Sequence, residues 1–238
     1  MKPITGSRVY LKVNRVDPAV IEAAKAVTVS DVHESMGAEG RVSLMSSRMR
    51  PILDGTKIAG PAVTAFCGHG DNLMMHRALY LAQPGDVLVV VCQSELSGAQ
   101  WGDLAARYAK KKGLAGVVVQ GCVRDVDVVR EMGFAVWATH ISPIHPDKKA
   151  HGLVNAPVVC DGVRVCPGDL VVADGDGVQV VPRQMAPEVI RAAVEKMKKE
   201  NAVADQIDAG GTPWNLHGAD KIYAAMEIEE VDAAFDDR

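Results

Sequence analysis

Two short stretches carry the residues best suited to chemistry. Gly98-Ala99-Gln100-Trp101-Gly102-Asp103 is a glycine-bearing loop between an apolar run, Val87 to Cys92, and a helical pattern from Asp103 to Lys112. The first N–H groups of such a helix lack partners within it, and the helix dipole adds positive potential there. A carboxylate or phosphate can settle on that end. The plainer alternative is an ordinary strand-to-helix loop with Asp103 as N-cap. The second stretch, Arg124-Asp125, opens the next helix directly after the next apolar run. In a sheet of successive strand–helix units, both loops lie beyond the carboxyl ends of their strands, where ligands of α/β folds sit. Two carboxylates there can hold a hard cation such as Mg2+. One guanidinium can stabilise a developing oxyanion with its fork of donors. A surface ion pair, with Asp125 as helix N-cap, is the alternative.

The elements that must position these residues read as β-α-β-α-β through the middle of the chain. Helices are predicted over 17–26 and 30–36, and residues 38–56 read as polar and irregular. A strand follows over 57–67. Asp71 then caps a helix over 72–82 whose Leu73, His76 and Leu79/Tyr80 share a face. Strands are predicted at 87–92, 114–120 and 134–138, and helices at 103–112 and 124–132. Gly121-Cys122-Val123 reads as a tight connection. Beyond a His-, Pro- and Lys-rich loop at 139–152, short strands separated by turns fill 153–181 and look antiparallel. A long helix over 187–208 ends at Gly210-Gly211.

Composition narrows the function classes. The chain has 238 residues, 48% hydrophobic and 24% charged, enough to bury a core unaided. No apolar run is long enough to cross a membrane, and the first residues contain no apolar signal core, so a cytoplasmic protein is expected. Net charge is −4, but residues 220–238 hold seven acids and two bases. The remainder is near neutral, which disfavours nucleic-acid binding. Five cysteines without a C-x-x-C pair read as buried thiols rather than disulfides or zinc ligands. His140, His145 and His151 share one loop at spacings that do not suit a helix-borne zinc pair. No P-loop or G-x-G-x-x-G fingerprint supports a nucleotide cofactor.

Residues 98–125 follow G-x-x-x-G-D-L-A-A-x-x-A-x-x-x-G-x-x-G-x-V-x-x-G-x-x-R-D. This resembles the signature of the class II pyruvate aldolases of the RraA-like superfamily, whose core is D-x20-R-D. It is similar above all to the 4-hydroxy-4-methyl-2-oxoglutarate / 4-carboxy-4-hydroxy-2-oxoadipate aldolases of bacterial aromatic degradation. Further matching stretches are DVHESMG at 31–37, GDN at 70–72, MGFAVWA at 132–138 and VNAPVVCDGVRVCPGDLVVADGDGVQVVP at 154–182. The resemblance implies an α/β fold, a three-layer β/β/α sandwich of the RraA-like swivelling-domain type with a C-terminal helical extension. It makes residues 1–210 one domain and 211–238 an acidic extension.

The same resemblance implies a divalent metal, Mg2+ or Mn2+, with Asp125 as ligand and Asp103 acting through water. Arg124 would contact the keto oxygen of pyruvate. The pyruvate carboxylate would lie at Gly102, on the backbone N–H groups of Leu104 and Ala105. Glu200 and Glu34 match glutamates that assist the chemistry, Glu200 from a neighbouring subunit, so a trimer or hexamer with the site at a subunit interface is expected. Retro-aldol cleavage of a 4-hydroxy-2-oxo acid would pass through pyruvate enolate, with oxaloacetate decarboxylation as a side activity. The sequence departs from the aldolase pattern at Gln120, where Asp is common, and at His145-Pro146-Asp147, where Gly-Thr is usual. Lys148 does match, and could bind the distal carboxylate. The rival readings are a protein-binding regulator of RNase E, which shares the fold, and a dedicated oxaloacetate decarboxylase.

Overall fold

The computed structural model describes residues 6–234. In chain order the elements begin with β1 (Arg8–Val9), α1 (Pro18–Ala24), α2 (Val29–Ser35), α3 (Ala38–Val42), β2 (Arg50–Pro51), β3 (Ile58–Cys67), α4 (Leu73–Leu81) and β4 (Val87–Cys92). Then come β5 (Ala99–Trp101), α5 (Asp103–Lys112), β6 (Gly116–Val123), α6 (Val126–Met132) and β7 (Val136–Ile141). The remainder is β8 (Leu153–Val154), β9 (Val158–Cys160), β10 (Val163–Val165), β11 (Leu170–Asp174), β12 (Gly177–Val181), α7 (Ala186–Asp208), α8 (Pro213–Leu216) and α9 (Ala219–Ala225). Residues up to Val194 form one compact unit and those from Glu195 a second.

The first unit is built on a parallel core of β3, β4, β6 and β7, with Val63 opposite Leu88, Leu88 opposite Val117 and Val118 opposite Trp137. These strands are buried throughout most of their length, as continuous valine runs covered on both faces must be. Alternate residues point to opposite layers. Val63, Ala65, Leu88, Val90, Val117 and Val119 pack on Met74, Met75, Ala78 and Leu79 of α4, Ala105, Ala106 and Ala109 of α5 and Val129 of α6. Val87, Val89, Val118 and Trp137 pack on Val158, Cys160, Val163 and Val165 of the β9–β10 hairpin and on Val171, Ala173, Val178 and Val180 of β11 and β12. Helices, central sheet and β layer are thus the three layers of an α/β sandwich. Strand β3 joins two of them, since Ile58–Pro61 pairs antiparallel with β11 and Ala62–Cys67 pairs parallel with β4. Each fully buried valine contributes about 1.5–3 kcal/mol relative to exposure.

Local chemistry sets the helix starts. Asp17 accepts from the Ala19 N–H at α1, and Thr28 with Asp31 forms a reciprocal capping box at α2. Several sequence expectations are corrected. The 38–56 segment contains α3 and β2. The glycine-bearing loop at 98–103 contains β5. Strand β6 continues through Gly121-Cys122-Val123, because Ala99 and Trp101 pair alongside it. The buried face of α4 is Met74, Met75, Ala78 and Leu79, whereas Leu73, His76 and Tyr80 are exposed. The two methionines fill the gap above the sheet, as flexible side chains do, and they rotate the helix away from the expected face. Cys67, Cys92, Cys122 and Cys160 are buried free thiols, with burial pushing Cys67 up to about 12.

Candidate active site

Beyond the carboxyl ends of β5 and β6, the starts of α5 and α6 converge on one cleft of about 210 Å³. Gly102, Asp103, Leu104, Ala105, Arg124 and Asp125 line it, together with Asn72, His76, His145 and Lys148. The two stretches singled out by spacing are therefore brought together, along with Lys148. Gly102, not Asp103, is the N-cap of α5. Its lack of a side chain is what lets the loops approach: a Cβ there would lie 2.7 Å from Asp125 Oδ2 and 3.2 Å from Arg124 Cγ. Asp125 occupies the N-cap position of α6 in the left-handed region, φ 55°, yet its side chain makes no capping bond. That conformation is uncommon for a residue with a Cβ. It leaves the carboxylate turned toward α5, accepting from the Asp103 N–H at 3.4 Å and facing Arg124 Nε at 3.4 Å. The backbone is tied across the loops by the Arg124 N–H donating to Trp101 O at 3.0 Å.

The end of α5 already holds a carboxylate. The Leu104 N–H donates to Asp103 Oδ1 at 2.7 Å, and Asp103 Oδ2 lies 3.9 Å from Arg107 Nε. Two buried polar atoms on the cleft wall have no partner, Asn72 Oδ1 and Trp101 Nε1. Their residues are 6% and 2% exposed. Trp101 is both wall and anchor, since its ring stacks on Phe134 with centroids 6.0 Å apart.

The far wall is held by Asp71, buried beneath it. Its Oδ1 accepts from the Leu73 N–H at 2.7 Å, and its Oδ2 accepts from the N–H groups of Lys149 and Ala150. The loop carrying His145 and Lys148 is thereby fixed over the start of α4. The backbone of α4 places His76 on this wall, its ring partly shielded by the cleft. Burial of its ring, then the Lys148 charge, lowers its pKa below the usual histidine value, with Asp71 opposing.

Not every expected residue joins the cleft. Glu34 lies exposed on α2, whose neighbours are β11 and β12, and His33 beside it meets Gln179 Oε1 at 3.1 Å. Glu200 is in the second unit, its carboxylate paired with Lys196 one turn earlier. Among the described residues of the first unit, no glutamate lines the cleft. The three loop histidines face different surroundings: His145 the cleft, His140 the Glu95 carboxylate at 3.2 Å, and His151 the Ser7 hydroxyl at 3.1 Å.

As a cation site, the cleft offers the carboxylates of Asp103 and Asp125. Among the described residues no cluster of three His, Cys, Asp or Glu side chains could hold a metal ion. Two carboxylates with open positions suit a hard cation that keeps water and shares ligands with its substrate, as Mg2+ does. They do not make a closed structural site.

Asn72, His76 and the Asp71 clamp were missed as site residues by spacing. The GDN triplet at 70–72 was their only local signal. A separate polar group was missed altogether. Glu95 accepts from Gln120 Nε2 at 3.1 Å and Thr139 Oγ1 at 3.0 Å, and pairs with Arg48 at 3.4 Å. Arg48 also donates to Asp161 at 2.7 Å. Arg48, Glu95, Gln120 and His140 line a second, larger cleft of about 710 Å³.

Fold and signature together define a class, and comparison with known proteins places the chain in it. Residues 28–180 match the family model described as RraA-like, Aldolase/RraA, and the chain belongs to this family. A relative from Halalkalibacterium halodurans is 34% identical over 169 residues, covering 69% of this chain and 80% of that protein. It bears the provisional name 4-hydroxy-4-methyl-2-oxoglutarate aldolase. A protein of the same provisional name from Burkholderia mallei is 39% identical over 150 residues, covering 63% of this chain and 90% of its own. Among solved structures, Streptomyces coelicolor RraAS2, an unusual member of the RNase ES inhibitor RraA protein family, is similar with a TM-score of 0.71 and 33% identity. The match covers 81% of this chain and 100% of that one. Among the described residues, no helix is long and apolar enough to cross a membrane.

Proposed function

We propose that this chain is a carbon–carbon lyase that cleaves a 4-hydroxy-2-oxo acid, such as 4-hydroxy-4-methyl-2-oxoglutarate or 4-carboxy-4-hydroxy-2-oxoadipate, to pyruvate and a second keto acid. The observation that carries this reading is the convergence of Asp103, Arg124 and Asp125 at the start of α5, across a glycine that leaves room for nothing else. Asp125 and Asp103 would hold a divalent cation, Mg2+ or Mn2+, which supplies electrophilic stabilisation of negative charge when bound. The substrate C1 carboxylate takes the α5 N–H groups of Leu104 and Ala105. The Asp103 carboxylate accepting from the Leu104 N–H supports this reading, and a substrate carboxylate would take its place there. Loss of the C4 hydroxyl proton lets the C3–C4 bond break, and its electron pair becomes the C2–C3 double bond of the enolate. Arg124 donates to the enolate oxygen, and protonation at C3 releases pyruvate. Lys148 faces the distal carboxylate end, and the unpartnered Asn72 Oδ1 offers an acceptor for a substrate hydroxyl. Oxaloacetate decarboxylation follows from the same enolate. Among the described residues no glutamate of the first unit lines the cleft. Glu34 and Glu200 of a second copy are assigned the role of base, which makes the active species an oligomer.

The test is pyruvate release from 4-hydroxy-4-methyl-2-oxoglutarate by chelator-treated protein, with and without added Mg2+, read through coupled lactate dehydrogenase. Metal-dependent release supports the lyase. Release only from oxaloacetate supports a dedicated decarboxylase. The likeness to RraAS2 along that protein's whole length favours one second reading, a regulator that acts by binding an RNase E-type ribonuclease. Silence with both substrates and metal present would make that the better account.

A further inference from the structure

The residues just before Arg124 break the regular ladder. Strand β6 pairs Val119 with Ala138 of β7 and resumes with Cys122 opposite His140, so three steps on β6 span two on β7. This is a β-bulge at Gln120-Gly121, and bulges re-aim the chain that follows them. Gly121 sits at φ 148°, and a Cβ on it would lie 2.2 Å from Gln100 Oε1. Backbone donors at the bulge are caught by side chains. The Gly121 N–H donates to Thr139 Oγ1 at 2.9 Å, and the Cys122 N–H donates to Gln100 Oε1 at 3.2 Å. The Gln120 side chain is gripped at both ends, its Nε2 donating to Glu95 and its Oε1 accepting from the Asp161 N–H at 2.7 Å.

Glu95 joins these holds. The Thr139 hydroxyl, having accepted from Gly121, donates to Glu95 Oε2 at 3.0 Å. The Cys122 thiol donates to the Glu95 carbonyl at 3.1 Å. The Thr139 hydroxyl has one proton, and of its two acceptors Glu95 Oε2 at 3.0 Å is nearer than Gly121 O at 3.3 Å. Donated to the carboxylate, it links the Gly121 N–H to Glu95, and each bond polarises the next. His140 Nδ1 also lies 3.0 Å from the hydroxyl. Gln100 closes the other side, buried fully and donating through Nε2 to Cys92 Sγ at 3.1 Å. Two residues beyond this clamp, Arg124 donates its backbone N–H to Trp101 and Asp125 takes its left-handed turn.

We propose that Glu95, acting through Thr139 and aided by Gln100, is the positioning network that aims Arg124 and Asp125 into the cleft. This role rests on the reading of Arg124 and Asp125 as the reacting pair. Without the Thr139 hydroxyl the Gly121 N–H loses this acceptor, so the bulge shifts, and the guanidinium and carboxylate shift with it.

The test compares Thr139→Val, Thr139→Ser and Glu95→Gln with the unaltered chain. Two readouts are taken: the Arg124 Nε–H and Asp125 N–H resonances in 1H–15N spectra, and kcat against KM for pyruvate release. Thr139→Val is expected to move both resonances and to lower kcat roughly tenfold or more, as losing an outer-shell partner does, with KM within about threefold of the unaltered value. Thr139→Ser is expected to restore both. Where Thr139→Val does not fold, Glu95→Gln, which keeps the shape and removes the charge, is expected to move the same resonances by less. Resonances that stay in place in the folded variants, or a Thr139→Ser that fails to restore them, would overturn the proposal. An unaltered chain that releases no pyruvate, while Thr139→Val still moves the resonances, would refute the lyase reading and leave the positioning role standing.

Discussion

The two acidic clusters flanking the bulge of β6 are built in opposite ways. In the cleft at the start of α5, every contact of Asp125 and Asp103 with a cationic side chain is long: 3.4 Å to Arg124 and 3.9 Å to Arg107. Asn72 Oδ1 and Trp101 Nε1 are buried beside them with no partner. In the Glu95–Asp161 cluster the Arg48–Glu95 pair is equally long at 3.4 Å, but the buried carboxylate Asp161 has short donors. Asp161 accepts from the Ser46 hydroxyl at 2.6 Å, the Ser46 N–H at 2.8 Å and Arg48 at 2.7 Å, and Glu95 is held by Gln120 and Thr139. Buried polar groups cost free energy when unpaired and rigidify their surroundings when paired. The first cluster therefore keeps unpaired polar atoms at its wall, whereas the buried carboxylate of the second is fully paired within the chain.

The sharpest way to break this comparison is to remove one arginine from each cluster. Arg124→Met should lower kcat by about 10²–10³, or roughly 3 kcal/mol of barrier, the usual loss of an oxyanion donor. Its thermal midpoint should hardly move, because exposed ion pairs contribute about 0–1 kcal/mol. Arg48→Met should do the reverse in kind: Arg48 is itself exposed, but its partner Asp161 is buried and would lose its cation, so the thermal midpoint should fall while much of kcat is retained. Steady-state pyruvate release and calorimetry on the same two preparations decide it. Equal losses of stability would erase the distinction between an open and a closed cluster.

Asp161→Ala comes next. It leaves the Ser46 N–H and hydroxyl without their acceptor, and Asp161 is almost fully buried. A cost of about 2 kcal/mol in urea unfolding is expected. Asp103→Ala, on the loose side, should cost less than half of that. Should Asp103→Ala prove the more destabilising, the α5 end would be a structural cap rather than an anion site.

The contrast also explains what could be read from the sequence. The valine runs of β4 and β6, and the starts of α5 and α6, are local signals, and from them Asp103 and Arg124-Asp125 could be placed together. Glu95 could not be found that way. It stands alone in a small polar loop, and its partners Arg48, Gln120 and Thr139 come from distant strands and loops that only the folded sheet assembles. The extension of β6 through Gly121-Cys122-Val123 was hidden for a related reason, because a glycine at a bulge looks like the end of a strand. On α4, Met74 and Met75 took the buried positions expected for Leu73 and His76. A heptad-like reading does not register how well thioether side chains fill a gap above a valine sheet.

Acid sensitivity should separate the clusters more finely. Burial alone would raise the pKa of Glu95, but hydrogen bonds from Gln120, Thr139 and Arg48, with the Arg48 charge, hold it below the ordinary carboxylate value. At Asp161 burial likewise pushes the pKa up, and the hydrogen bonds from Ser46 and Arg48, with the Arg48 charge, outweigh it and hold the carboxyl below its ordinary value. A carboxylate with a lowered pKa in the fold adds stability above its unfolded pKa of about 4 and loses it as pH falls through the folded value. Urea midpoints of the unaltered chain should therefore drop below about pH 4. In Glu95→Gln the drop should be shallower. An identical slope in the variant would show that Glu95 is not held in the charged form.

The smallest effect concerns the open cleft. His76 is held below the usual histidine pKa first by burial and then by the charge of Lys148. A histidine kept neutral in this way adds stability above its ordinary pKa of about 6.5, and that stability is lost as pH falls through the lowered folded value. Lys148→Met should raise the His76 pKa only part of the way back, since burial remains. A dicarboxylate such as succinate, bound against Lys148, should raise it as well, by neutralising the same charge. Pyruvate, which lacks a distal carboxylate, should leave it nearly unchanged. The His76 ring protons, followed by NMR through a pH titration of each state, report this directly. If Lys148→Met leaves His76 where it was, the Lys148 charge does not reach the ring, and the succinate effect is not expected either.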